Sequence, residues 1–295
     1  MAQPKVVSVI LNTNRRQDTL ACLASLRQST YRDQQAIVLD NGSKDGSVEA
    51  VRSAFPEVHV IELAENRGYV GIEAALAQEA TWVLVLNEDT VLAPDCLARL
   101  VEVGESDPSI GVVGPMVYHH DEPQVIQSAG GMLGPYWQSI HLAKDEPDEG
   151  QFRQPHAVEW VSGCAIMMRR PVIERVGGLD PRFFYYWEET EWCLRARRAG
   201  WRVVHVPQAR LWHKGVQRDY HPSPQVTYYG TRNRLLLYAK HRAPLGAWAN
   251  AGLQIARTLL SWSVKPKWRN MRQHRNAMWR GTWDFLLQRW GQMPQ

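Results

Sequence analysis

Cysteine is scarce in this chain. The four cysteines among 295 residues, Cys22, Cys96, Cys164 and Cys193, are scattered and form no Cys-x-x-Cys pair. That excludes a zinc ribbon and a disulfide framework, and it fits a reducing cytoplasm. No apolar run is long enough to span a bilayer, and no stretch reads as a secretory signal. A Gly-x-Gly-x-x-Gly turn and a Walker loop are both missing, so neither dinucleotide binding nor P-loop hydrolysis is favoured. Acidic residues nearly vanish from the C-terminal part. From Lys240 onward there are ten Lys and Arg against one acid, Asp284. The remainder carries 24 basic and 29 acidic residues, so a net charge of +4 hides a mildly acidic body with a basic tail. Such a tail suits an anionic surface; a nucleic-acid partner is not expected.

What is present reads as alternating strands and helices. Val6–Leu11 is a β-branched run, followed by the polar loop Asn12-Thr13-Asn14-Arg15. Asp18 is placed to cap a helix bearing Leu20, Leu23 and Leu26 on one face. Ala36–Leu39 is a second strand, ending in Asp40-Asn41-Gly42-Ser43-Lys44-Asp45-Gly46-Ser47, where Ser47 can cap the next helix. Val58–Ile61 is a third strand. The loop Asn66-Arg67-Gly68-Tyr69-Val70-Gly71 opens a helix to about Glu79. Trp82–Leu86 is a fourth strand, ending in Asn87-Glu88-Asp89; Pro94 starts a helix, and Ile110–Val113 is a fifth strand. This alternation with short connections predicts an α/β fold with a mostly parallel sheet flanked by helices. Ligands of such sheets bind beyond the carboxyl ends of the strands, where Thr13, Asp40, Asn66–Gly71 and Asp89 all fall.

Residues 119–157 are rich in Pro, Gly, Asp and Glu and read as an irregular insertion near an acceptor side. A helix near Pro171–Val176, one from about Glu189 to Ala199, and a strand Arg202–Val206 closed by Pro207 follow. The tail after Gln225 reads as helical. In Leu245–Val264, Trp248, Gly252, Ile255, Leu259 and Trp262 oppose a polar stripe of Asn250, Gln254, Arg257 and Ser261. A second stripe is Trp279, Trp283, Leu286 and Trp290. Six of 13 tryptophans lie in this amphipathic helical extension. Tryptophan with arginine suits a membrane interface, an oligomer interface or packing onto the chain's own body.

The centre of the sequence is Trp160–His213. Phe183-Phe184-Tyr185-Tyr186-Trp187 runs directly into Glu188, Glu189 and Glu191. Acids beside aromatic rings suit a site that holds an apolar-faced substrate and removes a proton from it, because shielding raises a carboxyl's pKa towards neutrality. The same acids would also serve as favourable first-turn residues of a helix.

Taken in order, VSVILNTNR, LDNGSKDGS, NRGYVG, NED and FFYYWEETEWCLRARRAGWRVVHVPQARLWHKG resemble family 2 glycosyltransferases of the GT-A fold, in the rhamnosyl- and galactofuranosyl-transferase-like branch. The resemblance covers about Lys5 to Arg242. It implies a Rossmann-like GT-A sheet and inverting transfer of a sugar from a UDP- or dTDP-sugar to a hydroxyl of a glycan or lipid-linked acceptor. Residues 1–118 would form the nucleotide-sugar half and 119–224 the acceptor and catalytic half. Residues 225–295 would be a basic, Trp-rich tail for membrane association or oligomerisation. On this resemblance Asp40 meets the nucleobase, with Thr13, Asn14 and Arg15 beside it. Asn66, Arg67 and Gly71 approach ribose and base. Asn87, Glu88 and Asp89 replace the family's Asp-x-Asp, with Asn at its first position. Asp89 and His213 are the implied ligands of Mn²⁺ or Mg²⁺. Glu189 falls where the family has its catalytic aspartate, which leaves the base open between Glu189 and Glu188. Tyr186 and Trp187 would form an acceptor platform, and Glu191 is structural or acceptor-binding. The expected setting is cytoplasmic and peripheral, on the inner face of the cell membrane, and a homo-oligomer is the competing use of the tail.

Two rivals follow from the same residues. A sugar nucleotidyltransferase shares the nucleotide-binding sheet, but it wants a glycine-rich loop after the first strand. An inactive module holding a glycan or a membrane would tolerate the Asp-to-Asn and Asp-to-Glu changes.

Overall fold

The computed structural model describes residues 3–69, 76, 78–215 and 221–294. β1 (Val6–Asn12), β2 (Gln34–Asp40), β3 (His59–Glu62) and β4 (Trp82–Asn87) pair in parallel, joined through α1 (Arg16–Arg27) and α2 (Ser47–Ala54). Val, Ile and Leu fill both faces of β1, and all seven of its residues are buried, as a central parallel strand requires. The sheet continues through β5 (Thr90–Leu92), α3 (Cys96–Glu105), β6 (Ile110–His119), β10 (His156–Ala157), β11 (Ala165–Arg169) and β12 (Arg202–His213), in the order β10-β12-β6-β11-β4-β1-β2-β3. β11 runs antiparallel between β4 and β6, so the sheet is mostly parallel but mixed. Apolar side chains cover both faces. Trp82, wholly buried on one of them, packs so closely on Gly104 that a Cβ there would lie 2.6 Å from its ring.

Several local expectations are corrected. Asp18 sits in the first turn of α1 and does not cap it; Asp45, from the loop after β2, accepts the Arg16 N–H at 2.9 Å. The same carboxylate accepts the Ser47 N–H at 3.1 Å, so Ser47 is the first residue of α2 rather than its cap. One aspartate thus serves two helix starts that are distant in sequence. Pro94 precedes its helix by two residues. Residues 119–157 are not irregular throughout: they contain β7 (Ile126–Ser128), β8 (Gly131–Leu133), β9 (Ser139–His141) and β10 (His156–Ala157).

The change that matters most for the site is β12. It does not close at Pro207. The register jumps from Val206 opposite Pro115 to Arg210 opposite Met116, and the strand then runs on to His213. Proline has no N–H for the ladder, so the bulge absorbs it and pairing resumes. Beyond the bulge, β5 pairs with β12, placing Thr90 opposite His213 and so Asp89 beside it.

After α4 (Arg170–Val176) and α5 (Glu188–Arg198), the chain ends in α6 (Pro224–His241), α7 (Leu245–Val264), a 3₁₀ turn (Pro266–Met271) and α8 (Arg272–Leu286). α6 is buried along much of its length, including Tyr228, Arg232, Asn233, Leu236 and Tyr238. α7 differs from its expected amphipathic pattern. Ala247, Trp248, Ala251 and Ile255 face the body, while Gly252 is exposed. Its outer face carries Leu245, Leu253, Leu260 and Val264 in solvent. Trp279, Trp283 and Leu286 of α8 are likewise exposed, whereas Trp290 packs against Phe285. No described helix is long and apolar enough to cross a membrane.

Candidate active site

A cavity of about 580 Å³ opens at the carboxyl ends of β1, β2 and β4. Thr13 and Arg15 line it from the loop after β1, Asn41 from that after β2, Asn66, Gly68 and Tyr69 from that after β3, and Asn87, Glu88 and Asp89 from the end of β4. His213 and Gly215 enter from β12, and Phe184, Tyr185 and Tyr186 from the turn before α5. The C-terminal segment supplies Gln225, Tyr229, Arg280, Gln292, Met293 and Pro294. Eight of the residues expected from sequence therefore meet in one space: Thr13, Arg15, Asn66, Asn87, Glu88, Asp89, Tyr186 and His213. Gly71 lies outside the described residues.

Others take supporting places. Asp40 is buried and accepts from Asn12 Nδ2 at 2.6 Å and from the Ser43 N–H at 2.8 Å. Asn41 reaches the cavity instead. Its side chain accepts the Arg67 N–H at 3.2 Å and donates to the Gly68 carbonyl at 3.3 Å, tying two strand-end loops together. Arg67 thus contributes its backbone here. Asn14, in the left-handed region, accepts the Lys44 N–H at 2.7 Å on the outside of the loop. Trp187 packs towards α6 and does not face the cavity. Glu191 is fully buried, with its carboxylate 2.9 Å from Arg195 Nε, 2.9 Å from Lys240 Nζ and 3.0 Å from His241 Nε2. It anchors α6 to α5 and touches no cavity wall.

The Asp89–His213 pair has the chemistry of a divalent-cation site. His213 Nδ1 donates to Gln127 Oε1 at 2.7 Å, which leaves Nε2 an acceptor in the neutral ring, with Asn87 Nδ2 3.5 Å away. His213 Nε2 faces Asp89 Oδ1 at 3.1 Å. Among the described residues that oxygen is buried without a hydrogen-bond partner, so two acceptors converge on one point. Gly215 closes the space: a Cβ there would stand 2.7 Å from Asp89 Oδ2 and 3.0 Å from His213 Nε2. Imidazole plus carboxylate fits Mn²⁺ or Mg²⁺, with further positions left to diphosphate oxygens and water. No group of three His, Cys, Asp or Glu that could hold a metal ion is gathered among the described residues. Burial alone would raise the Asp89 pKa; with no cation bound, a protonated His213 outweighs it by its bond and charge and holds the carboxyl below its ordinary value. Glu88 moves the other way, pushed up to about 8 by burial and by the neighbouring Asp89 charge.

Glu188 and Glu189 open α5, immediately after three residues in or near the aromatic turn with left-handed backbone: Phe184, Tyr186 and Trp187. Neither carboxylate lines the cavity directly. Glu188 is 4% exposed and its Oε2 has no hydrogen-bond partner. Burial, with the nearby Glu189 charge, holds its pKa well above the ordinary glutamate value. Glu189 is partly exposed, accepts from Thr190 Oγ1 at 3.1 Å and lies over Gly163. Its pKa is also raised by burial. Both acids are therefore poised to hold a proton nearer neutrality than a free glutamate does.

Sequence reasoning missed Leu11, Asn41, Tyr69, Gly215 and the entire C-terminal wall. Asn41 and Tyr69 lay inside loops already marked by their glycines. Nothing in the local pattern of Arg280 or Met293 announces a cavity, because their approach is made by helix packing.

Residues 8–177 match the family model described as Glycosyl transferase family 2. Among similar proteins is the N-acetylglucosaminyl-diphospho-decaprenol L-rhamnosyltransferase of Mycobacterium tuberculosis, 29% identical over 76% of this chain and 82% of that protein. The dTDP-rhamnosyl transferase RfbF of Shigella flexneri is 26% identical over 71% and 72%. In fold, the chain resembles the mannosyltransferase PcManGT from Pyrobaculum calidifontis, solved with GDP-Man and Mn²⁺. That match has a TM-score of 0.62 at 16% identity over 98% of this chain and 88% of the other. S. aureus TarS 1–349 has a TM-score of 0.57 at 16% identity, over 92% and 78%.

Proposed function

Because the chain belongs to glycosyl transferase family 2 and is a glycosyltransferase with the GT-A fold, we propose that it carries out a metal-dependent, inverting sugar transfer. The donor is a dTDP- or UDP-sugar, and the acceptor is a hydroxyl of a lipid-linked glycan. The observation that carries this reading is the convergence of Asp89 Oδ1 and His213 Nε2, 3.1 Å apart at the sheet's ligand edge. The names of the two rhamnosyltransferase relatives make dTDP-L-rhamnose the first donor to assay.

On this reading Thr13, Asn41 and Asn66 surround the nucleobase and ribose, with Asp40 fixing the loop from behind. When bound, the divalent ion would act as a Lewis acid on the departing diphosphate. Asp89 and His213 would hold it, and Gly215 leaves room for it. Tyr185, Tyr186 and Tyr229 offer ring faces to the acceptor sugar. Glu189 accepts the acceptor hydroxyl proton as that oxygen attacks the anomeric carbon from the face opposite the leaving group. Glu188, deeper in the fold, is held protonated more strongly than a free glutamate by burial and by the Glu189 charge.

The outer faces of α7 and α8 support a peripheral contact with the inner face of the cell membrane. Leu253, Leu260, Trp279, Trp283 and Leu286 are exposed there. Arg257, Lys265, Lys267, Arg269, Arg272 and Arg275 lie in the same stretch of chain. A lipid-linked acceptor would then reach the site from the bilayer.

The test is isothermal titration of the purified protein with dTDP, UDP and ADP, each with and without Mn²⁺. dTDP or UDP should bind only with the metal, and ADP at least about tenfold more weakly, a difference of about 1.4 kcal/mol. Equal binding of ADP, or binding indifferent to Mn²⁺, would remove the base pocket or the metal from this account.

A further inference from the structure

The aromatic turn that lines the site is held in place from outside the nucleotide-binding half. Phe184, Tyr186 and Trp187 all have positive φ, at 62°, 68° and 75°. Non-glycine residues in this region are strained, and they persist only where the surrounding structure over-determines them. The surroundings here are two consecutive residues of α6. Asn233 Nδ2 lies 2.7 Å from the Phe183 carbonyl oxygen, 2.8 Å from that of Tyr185 and 2.9 Å from that of Tyr186. One amide nitrogen, with two hydrogens, thus gathers three carbonyls of one turn. Asn233 Oδ1 in turn accepts from Arg232 Nε at 3.0 Å.

Arg232 completes the clamp. Its Nη2 donates to the Arg182 carbonyl at 3.0 Å and the Phe183 carbonyl at 3.1 Å. Its Nη1 donates to the Gly291 carbonyl at 2.7 Å and to the Tyr228 hydroxyl at 3.2 Å, and that hydroxyl donates to Asp284 Oδ2 at 2.7 Å. Arg232 and Asn233 are both 0% exposed. Burying a guanidinium is expensive, and an apolar residue of similar volume would often stabilise a fold as well or better. What the guanidinium and the amide provide here is directional: together they fix where Arg182, Phe183, Tyr185 and Tyr186 place their carbonyls.

We propose that Arg232 and Asn233 are positioning residues for the transfer reaction. They hold the Phe183–Trp187 turn so that Phe184, Tyr185 and Tyr186 form the acceptor wall and α5 starts with Glu188 and Glu189 in register. The helices after Pro224 are therefore part of the working site. This rests on the reading of that wall and those acids given above.

The experiment compares the full chain with Asn233→Ala and with Arg232→Lys, which keeps the cation but not the fork. Hydrogen exchange followed by mass spectrometry reads the amides of 183–189 against those of α3 as an internal reference. In Asn233→Ala, exchange across 183–189 should quicken roughly tenfold or more while α3 is unchanged. Affinity for dTDP with Mn²⁺ should stay within about twofold, because Thr13, Asp89 and His213 are untouched. Turnover with dTDP-L-rhamnose and a short-chain N-acetylglucosaminyl-diphospho-prenol should fall by about 10–10², with Arg232→Lys intermediate. Unchanged exchange in 183–189 overturns the clamp. Equal quickening in α3, or loss of dTDP affinity in parallel with turnover, also overturns it, since that is general loosening. If the wild type binds dTDP and Mn²⁺ but transfers no rhamnose, the donor assignment fails, and the exchange comparison still decides the clamp.

Discussion

Gly68 and Phe184 meet where the donor-side loop touches the acceptor-side turn. Gly68 has φ +74°, and a Cβ on it would collide with the Phe184 carbonyl oxygen and stand 3.0 Å from the Phe184 ring. The two walls of the cavity therefore approach this closely only because residue 68 has no side chain. Gly68→Ala should separate them. A left-handed alanine costs about 1–2 kcal/mol before the clash is counted. We expect a fall in melting temperature of several degrees and a turnover loss of about tenfold or more. Thermal unfolding followed by circular dichroism, beside the transfer assay, checks both. Unaltered stability and turnover would show that the loops are not in contact in solution.

The divalent site yields a graded series. Asp89→Ala and His213→Ala should each abolish Mn²⁺-dependent nucleotide binding and lower activity by at least about 10³. Gly215→Ala should weaken Mn²⁺ binding with little change in melting temperature, because the added methyl enters the space between Asp89 Oδ2 and His213 Nε2. Gln127→Leu removes the acceptor that fixes the His213 tautomer and should weaken the metal by about 10–100-fold. Titration calorimetry with Mn²⁺ and dTDP measures all four. Normal Mn²⁺ binding by Gly215→Ala would place the ion elsewhere.

The proton acceptor can be read from a pH profile. Both Glu188 and Glu189 are held above the ordinary value of 4.5. A base must be deprotonated, so the acid limb of kcat/KM should lie above pH 4.5, and activity should rise with pH through it. Glu189→Gln should lose about 10²–10⁴ in turnover and the limb with it, with dTDP affinity nearly unchanged. Glu188→Gln should be milder and act mainly on acceptor KM. The opposite ranking would make Glu188 the base.

Acid stability depends on buried histidine. His205 is 0% exposed with neither ring nitrogen bonded, and burial, then the nearby His156, brings its pKa from 6.5 down to about 3. The unfolded chain therefore binds a proton between pH 6.5 and about 3 that the folded chain refuses. Stability is full above pH 6.5 and is lost as the pH falls through that window. His205→Phe removes this term. Its melting temperature should decline less steeply than the wild type's from pH 6.5 to 4 in a thermal-shift series. Parallel curves would assign acid sensitivity to other groups.

Membrane contact needs a gentler probe than truncation. Removing everything after Arg242 would also remove Arg280, Met293 and Pro294 from the cavity wall. Surface changes at Leu253, Leu260, Trp279 and Trp283 to serine leave that wall in place. The wild type should sediment with phosphatidylglycerol vesicles in low salt and less so in high salt, and the fourfold variant should not. A change in solution mass with vesicle binding unaltered would make this face an oligomer interface.

Much of the chain is legible from local pattern because its strands are buried on both sides. Val6–Leu11 and Trp82–Leu86 read as continuous apolar runs, and each ends where the backbone turns polar. The loops Asn12–Arg15, Asp40–Ser47, Asn66–Gly68 and Asn87–Asp89 are thereby assigned to one edge, while the metal-ligand role of Asp89 comes from the family resemblance. The tertiary structure decided what pattern could not. His213 reaches Asp89 only because β12 bulges past Pro207, resumes pairing with β6 and takes up β5 on its other edge, a choice made by long-range ladder bonds. Asp40 and Glu191, acids of the expected kind, are satisfied partly by neighbours distant in sequence, Asn12 for the first and Lys240 and His241 for the second. The C-terminal helices, whose Trp and Arg content left membrane, oligomer and own-body packing open, entered the site because Arg232 and Asn233 find their acceptors in a turn about fifty residues earlier. Periodicity records which face of a segment avoids water, whereas hydrogen bonds between distant segments record which segments meet.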